Sequence, residues 1–125
     1  ENKLKDKVRL LGYTNNPFTY IRKADVLILT SRFEGLPNIL LEAQYLKKYI
    51  ISTDCPTGPK EILLNGRAGD LINIKDYKRL SLLINKYQNR KKLINNKIDI
   101  GSKNFYRFNY ELNCKKYLDF VNKNF

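Results

Sequence analysis

Residues 26–43 read VLILTSRFEGLPNILLEA. The first four are apolar without polar alternation, which predicts a strand over Val26–Leu29 that is buried on both faces. Residues 30–36 form a loop, and Pro37 at the start of a helical pattern predicts a helix from Pro37 to about Leu46. A buried strand followed by a helix is the repeating unit of a parallel sheet, because parallel strands need a crossover connection.

Outward from this unit, the same alternation of short apolar runs and helical stretches continues. Further strands are predicted at residues 8–11, 49–52 and 70–72. Helices are predicted at residues 17–23, with Asn16 as the cap, and at residues 59–64. Strands separated by helices pair in parallel through right-handed crossovers. The expected fold class is therefore α/β, a Rossmann-like open parallel sheet with flanking helices.

From residue 75 onward the apolar spacing is helical, and we expect a helical C-terminal tail whose apolar stripes cover the sheet. The stripes are Leu80, Leu83, Ile84 and Tyr87; Ile94, Ile98, Gly101, Phe105 and Phe108; and Tyr110, Cys114, Tyr117, Leu118, Val121 and Phe125. Residues 75–125 hold 13 Lys and Arg and four Asp and Glu, which gives +9 of the net charge of +12. We predict one domain over residues 1–125, with the sheet region in 1–74 and the tail in 75–125.

Composition excludes several classes of site. The chain has no His, so a Ser-His-Asp or Cys-His nucleophile and an imidazole metal site are excluded, and no metal is predicted. Cys55 and Cys114 form no C-x-x-C pair and are expected to be reduced thiols of a cytoplasmic protein. The chain begins at Glu1 and contains no Met. We therefore expect it to be a piece of a longer polypeptide.

The loop after residues 26–29 is the expected ligand site, because open parallel sheets bind ligands at the carboxyl ends of their strands. Gly35 permits close approach, and free N–H groups at a helix starting at Pro37 suit a phosphate or pyrophosphate. Glu42 lies about 7.5 Å further along the helix, where a carboxylate can bind ribose hydroxyls. Asn38 shares its face, and Glu34 lies on the far side of the phosphate, where a transferred group would be.

Each of these features also has a purely structural interpretation. Glu42 can be a solvated helix residue, and Glu34 a loop charge near the positive end of the helix dipole. Ile39, Ala43 and Leu46 are expected to form the opposing buried stripe of the helix. Two carboxylates flanking one helix start at the end of a strand favour a binding site over either single interpretation.

Residues 34–42, EGLPNILLE, match the E-x7-E motif of GT-B glycosyltransferases of family 4, the glycosyl transferases group 1. Further similar blocks are LGY with NP at residues 11–17, ADV at 24–26, STDCPTGPKEIL at 52–63 and RFNYE at 107–111. The sequence therefore resembles the C-terminal nucleotide-sugar-binding domain of that family, which forms half of a GT-B fold. Most of the chain takes part in the resemblance.

The resemblance implies roles for individual residues. Glu34 is the implied catalytic residue facing the donor sugar, Glu42 faces the ribose, and the amides around Gly35 and Leu36 face the diphosphate. The implied donor-binding set is Arg32, Gly35, Leu36, Pro37, Asn38, Glu42, Thr57 and Gly58. No cofactor is implied beyond the substrate, a UDP- or GDP-linked sugar, and no bound metal.

The implied activity is that of a retaining hexosyltransferase that uses a glycan or lipid-linked acceptor in envelope polysaccharide synthesis. Family members also carry an N-terminal acceptor domain and a basic Arg/Lys pair upstream of the region that matches this chain. We therefore expect the chain alone to bind donor weakly and to be inactive. The family's last helix packs on that other domain, so Phe120 and Phe125 are expected to be exposed here.

The basic tail with its interleaved Tyr and Phe leaves a second function class open. A non-catalytic module could bind nucleic acid or an anionic membrane surface through phosphates. Nucleic acid is the less favoured partner, because a Lys-rich helix face is usually solvated and the tail holds no nucleic-acid motif. Membrane contact is compatible with a transferase located peripherally at the inner face of the membrane.

Overall fold

The computed structural model describes residues 7–125, which form a three-stranded parallel sheet with helices around it. The strands are β1 (Val26–Leu29), β2 (Tyr49–Thr53) and β3 (Asp70–Ile72), in that spatial order. The helices are α1 (Phe18–Lys23), α2 (Asn38–Tyr45), α3 (Pro59–Ile62), α4 (Tyr77–Asn85), α5 (Lys91–Asn104) and α6 (Tyr110–Asn124), with 3₁₀ turns at Gln88–Arg90 and Phe105–Phe108. The α/β class and the helical C-terminal region are confirmed.

Strand β2 lies at the centre of the sheet and all five of its residues are buried. It pairs with β1 through Ile28 and Ile51, and with β3 through Ile51 and Asp70. Among the described residues β1 pairs on one side only, and Ile28 is 38% exposed. The prediction that β1 is buried on both faces is therefore correct only in part. Leu27 and Leu29 pack partly buried on one face and Val26 on the other, but Ile28 is exposed.

The two faces of β2 lie in two separate apolar clusters, because successive side chains of a strand point to opposite faces. One cluster joins Ile50 to α1, α2 and α3 through Ile21, Leu40, Ala43, Ile62 and Leu63. The other joins Tyr49 and Ile51 to Ile72 and to the tail residues Leu83 and Ile94. Leu80, Tyr87 and Ile98 pack partly buried against this second cluster. The stripes of α4 and α5 therefore cover the sheet as predicted, except at Ile84, which is 44% exposed.

A charged cluster around Asp70 fixes the tail to the sheet. The Tyr49 hydroxyl donates a hydrogen bond to the Asp70 carboxylate, and the Arg90 guanidinium lies 3.4 Å and the Lys97 ammonium 3.2 Å from it. Lys97 also donates to the carbonyls of Gly69, at 2.9 Å, and Gly66. Burial, followed by the hydrogen bond to Asp70, raises the pKa of the Tyr49 hydroxyl well above its usual value. The hydroxyl therefore remains a donor.

Two predictions for the first part of the chain are wrong. Residues 8–11 form no strand, and Leu10 is 93% exposed. A strand needs a backbone partner, and no strand among the described residues pairs with this segment. Helix α1 begins at Phe18, and its cap is Pro17 rather than Asn16. The Pro17 carbonyl accepts the first helical hydrogen bond, from Ile21 at 3.0 Å.

Helix α6 has no buried residue, so the prediction that the third stripe covers the sheet is wrong. The stripe instead borders an open groove of about 660 Å³, whose other wall includes Leu36 and Leu41. Helix α6 follows directly after the Phe105–Phe108 turn and packs against it. Phe120 and Phe125 are exposed, as expected.

Candidate functional site

Helix α2 begins one residue later than predicted. Pro37 has an extended backbone (φ −70°, ψ 102°) and caps α2, and no side chain accepts a hydrogen bond from the first N–H groups. The Pro37 carbonyl accepts from Leu40 at 3.0 Å. The first amides of α2 are therefore free of side-chain acceptors, which leaves them able to bind an anion.

The two faces of α2 separate core residues from site residues. Leu40, Ala43 and Gln44 are buried against the body of the protein. The predicted place of Ile39 in this stripe is wrong, because it is 38% exposed and Leu40, fully buried, takes its position over the sheet. The rest of the predicted stripe is present, with Leu46 partly buried.

The outer face of α2 carries Asn38 and Glu42, which share a face as predicted. Both line an open pocket of about 330 Å³. The remaining lining residues are Phe18, Leu41, Tyr45 and Phe105. A carboxylate and an amide beside apolar and aromatic walls are suited to a ligand with hydroxyl groups and a flat apolar part.

Thr57, in the loop after β2, contacts the loop that carries Glu34. Its hydroxyl donates to the Glu34 carbonyl and lies 2.7 Å from the Pro56 carbonyl oxygen. The backbone of Thr57 is in the left-handed region, at φ 63°, which costs about 1–2 kcal/mol for a residue with a Cβ. The hydrogen bond that the hydroxyl donates contributes about 0.5–1.5 kcal/mol and so offsets part of this cost.

Gly58 touches the same loop through its backbone. A Cβ at this position would lie 2.1 Å from the Gly35 oxygen and 2.5 Å from Cδ of Pro37. Only glycine therefore fits, both for space and for its φ of 70°. The structure thus brings Glu34, Gly35 and Pro37 together with the loop at Thr57 and Gly58.

Sequence reasoning did not identify Thr53 as part of this site. Thr53 is buried at the end of β2, and its hydroxyl donates to the Ser31 carbonyl at 2.6 Å. The signal in the sequence is a hydroxyl residue closing a buried apolar strand, because a buried hydroxyl needs a hydrogen-bond partner. Thr53 and Thr57 therefore hold the β1–α2 loop at two points.

Of the predicted site residues, Asn38 and Glu42 line the pocket on the outer face of α2 and the others lie outside its lining. Arg32 lines a separate depression of about 230 Å³ at the carboxyl ends of the strands, beside Thr30 and Lys75. Leu36 is 48% exposed and borders the groove next to α6. The predicted residues therefore surround the β1–α2 loop on several sides rather than lining one cavity.

Chemically, this region offers free amides at the start of α2 and the carboxylate of Glu42 in the pocket beside them. Ionised carboxylates accept hydrogen bonds from sugar hydroxyls, while backbone N–H groups and the positive end of a helix dipole bind phosphate.

In residues 7–125 no group of three or more His, Cys, Asp and Glu side chains is placed to hold a metal ion. Within the same residues, no helix has the length and apolar character needed to cross a bilayer.

The first 88 residues match the model of the protein family described as glycosyl transferases group 1. An uncharacterised glycosyltransferase of Methanocaldococcus jannaschii is 47% identical over 60 residues, 48% of this chain and 15% of that protein. An α-1,4-N-acetyl-D-galactosaminyltransferase of Campylobacter jejuni, whose name includes a glycan on PP-undecaprenol, is 36% identical over 94 residues, 72% of this chain and 26% of that protein. The chain thus spans about a quarter of the length of these relatives at most.

A solved structure shows the same fold. The chain superposes on the crystal structure of TarM, a GT-B glycosyltransferase, with a TM-score of 0.73 and 21% sequence identity. The match covers 86% of this chain and 22% of TarM. The sheet and helices described above therefore correspond to part of a GT-B fold.

Proposed function

The chain belongs to the glycosyl transferases group 1 family, and from that membership we propose that it is the donor-binding part of a retaining glycosyltransferase. Its donor is a hexose linked to UDP or GDP. The observation that carries the proposal is at the start of α2, where the first helix amides have no side-chain acceptor, and Glu34 precedes them and Glu42 follows them in the chain. We assign the diphosphate to the loop between these two residues, because free backbone N–H groups at the start of a helix bind phosphate.

The two carboxylates have different tasks in this proposal. Glu42 lines the pocket beside aromatic walls and binds the ribose hydroxyls. Glu34, in the loop before α2, faces the transferred sugar and acts as the catalytic residue. Arg32, in the same loop, supplies positive charge near the diphosphate, where an Arg forms strong charge-assisted hydrogen bonds.

We also propose an acceptor class. The Campylobacter jejuni relative is named for a glycan on PP-undecaprenol, and a lipid-linked or polysaccharide glycan of the cell envelope is the acceptor proposed here. Acceptor binding is assigned to a separate N-terminal domain. The chain by itself is then a weak donor binder without transferase activity, and the enzyme works peripherally at the inner face of the membrane.

The test is nucleotide binding by the polypeptide that the gene encodes, measured by isothermal titration calorimetry with UDP and with GDP. Glu42→Ala is expected to weaken binding about tenfold, because it removes hydrogen bonds between a charged acceptor and ribose hydroxyls. Glu111→Ala, at an exposed Glu in the first turn of α6, is the matched control and leaves the affinity unchanged. Failure of both nucleotides to bind, or equal losses in the two variants, contradicts the proposal.

A second candidate function is contact with an anionic membrane surface, and the exposed apolar and basic side chains of α6 favour it. Tyr117, Leu118 and Phe120 are exposed on this helix together with Lys115 and Lys116. Basic residues near an anionic bilayer contribute about 1 kcal/mol each. Cosedimentation with vesicles containing anionic lipid, reduced at high salt and absent with neutral vesicles, is the expected result. Equal binding to both vesicle types would exclude it.

A further inference from the structure

The loop between β1 and α2 contacts the loop after β2 through the backbone carbonyls of two of its residues. The Glu34 carbonyl accepts the hydrogen bond from Thr57, and the Gly35 carbonyl lies against Gly58. A Cβ on Gly58 would lie 2.1 Å from the Gly35 oxygen and 3.2 Å from its carbonyl carbon. The oxygen is nearer by almost the length of a C=O bond, about 1.23 Å. The Gly35 carbonyl therefore points at Gly58.

The directions of these carbonyls determine the directions of the amides that follow them. In a planar trans peptide the N–H points away from the carbonyl of the preceding residue, and residues 7–125 contain no cis peptide bond. The N–H of Gly35 therefore points away from Thr57, and the N–H of Leu36 points away from Gly58. Both residues are exposed, and neither N–H donates a hydrogen bond within residues 7–125.

The hydroxyl of Thr57 has its single hydrogen engaged by the protein. Its contacts are the carbonyl oxygens of Glu34 and Pro56, and both of these can only accept. A hydroxyl has one hydrogen to donate, and phosphate oxygens also need a donor. In this conformation Thr57 is therefore poorly placed to bind a phosphate itself, in contrast to the donor-binding role predicted for it.

We infer that Thr57 is a positioning residue whose hydroxyl holds the Glu34–Gly35 peptide so that the N–H groups of Gly35 and Leu36 remain free for a diphosphate. This role rests on the proposed function, because it needs a nucleoside diphosphate at the start of α2. Thr57 acts on the ligand only through the orientation of these amides. Its loss therefore weakens recognition of the diphosphate and leaves recognition of the nucleoside intact.

The experiment uses the polypeptide encoded by the gene and measures the affinities for UDP, GDP, uridine and guanosine by calorimetry. Thr57→Val deletes the hydroxyl and keeps the shape, and Thr57→Ser keeps the hydroxyl. Thr57→Gly also lacks the hydroxyl but suits the left-handed backbone, so it covers the case in which the Val variant does not fold. Ser52→Ala removes a hydroxyl–carbonyl hydrogen bond within β2 that does not contact the β1–α2 loop, and it controls for general destabilisation.

The Val and Gly variants are expected to lose about tenfold in affinity for the diphosphate that binds best. They keep the affinity for the corresponding nucleoside, and Thr57→Ser and Ser52→Ala keep both affinities. The inference is overturned if the Val and Gly variants bind the diphosphate as the unchanged protein does, if the nucleoside is lost equally, or if Ser52→Ala shows the same loss. If the unchanged protein binds neither UDP nor GDP, the proposed function fails, and the inference fails with it.

Discussion

Replacing Lys97 by Met is expected to loosen the tail from the sheet at the Asp70 cluster. The ammonium lies 3.2 Å from the Asp70 carboxylate, and both side chains are only 14% exposed. It also donates to the carbonyls of Gly66 and Gly69. Removing one partner of a buried ion pair costs about 3–5 kcal/mol, and Met keeps the apolar stem. Because Arg90 and Tyr49 still contact Asp70, we expect the lower end, about 3 kcal/mol.

The matched control is Lys103→Met on the same helix. Lys103 pairs with Asp99 at 2.7 Å, but the two side chains are 73% and 55% exposed, so the loss is at most about 0.5 kcal/mol. Urea unfolding followed by far-UV circular dichroism measures both variants. With a slope near 2 kcal/mol per molar, the Lys97 variant unfolds roughly 1–2 M earlier. Equal midpoints for the two variants would refute the claim that the Asp70 cluster fixes the tail.

Three further results are expected. Gly58→Ala is expected to lower the Tm by more than Gly12→Ala. Both glycines have positive φ, but a Cβ at Gly12 meets no atom within 4 Å. Equal shifts in Tm would show that contact with the β1–α2 loop is unimportant. The pKa of Tyr49 is raised in the folded protein. Above about pH 10, Tyr49 therefore loses its proton in the unfolded state but keeps it in the folded state. The free energy of unfolding therefore falls as pH rises, and a Tyr49→Phe variant with the same slope would contradict this. Leu40→Ala costs about 2–5 kcal/mol, since Leu40 is fully buried, and a loss below 1 kcal/mol in urea unfolding would be inconsistent with its place in the core.

Local patterns in the sequence were sufficient for the elements whose partners lie nearby in the chain. Strands β1, β2 and β3 pair with one another within residues 26–72. The apolar runs predicted these strands, and Pro37 the start of helix α2, within about two residues. Residues 8–11 carry the same kind of apolar run but form no strand, because pairing depends on a neighbour that no local pattern specifies.

Part of the site could be predicted from the sequence, because it depends only on local spacing along a helix. Asn38 and Glu42 share a pocket because helical spacing puts them on one face. The contacts of Thr53 and Thr57 join loops more than 20 residues apart, so they follow from the packing of two strands and not from spacing. The resemblance implied a place for Thr57 near the donor, but no signal in the sequence indicated the hydrogen bond between its hydroxyl and the Glu34 carbonyl.

The central claim is that the start of α2 binds the diphosphate of a nucleotide sugar. The most direct measurement is a titration of the isotope-labelled, gene-encoded polypeptide with UDP and with GDP, followed by backbone amide chemical shifts. We predict saturable shifts at Gly35, Leu36, Asn38 and Glu42, with little change in α4 to α6. Shifts confined to the basic helices of the tail, or no saturable shift within residues 34–42, would contradict the claim.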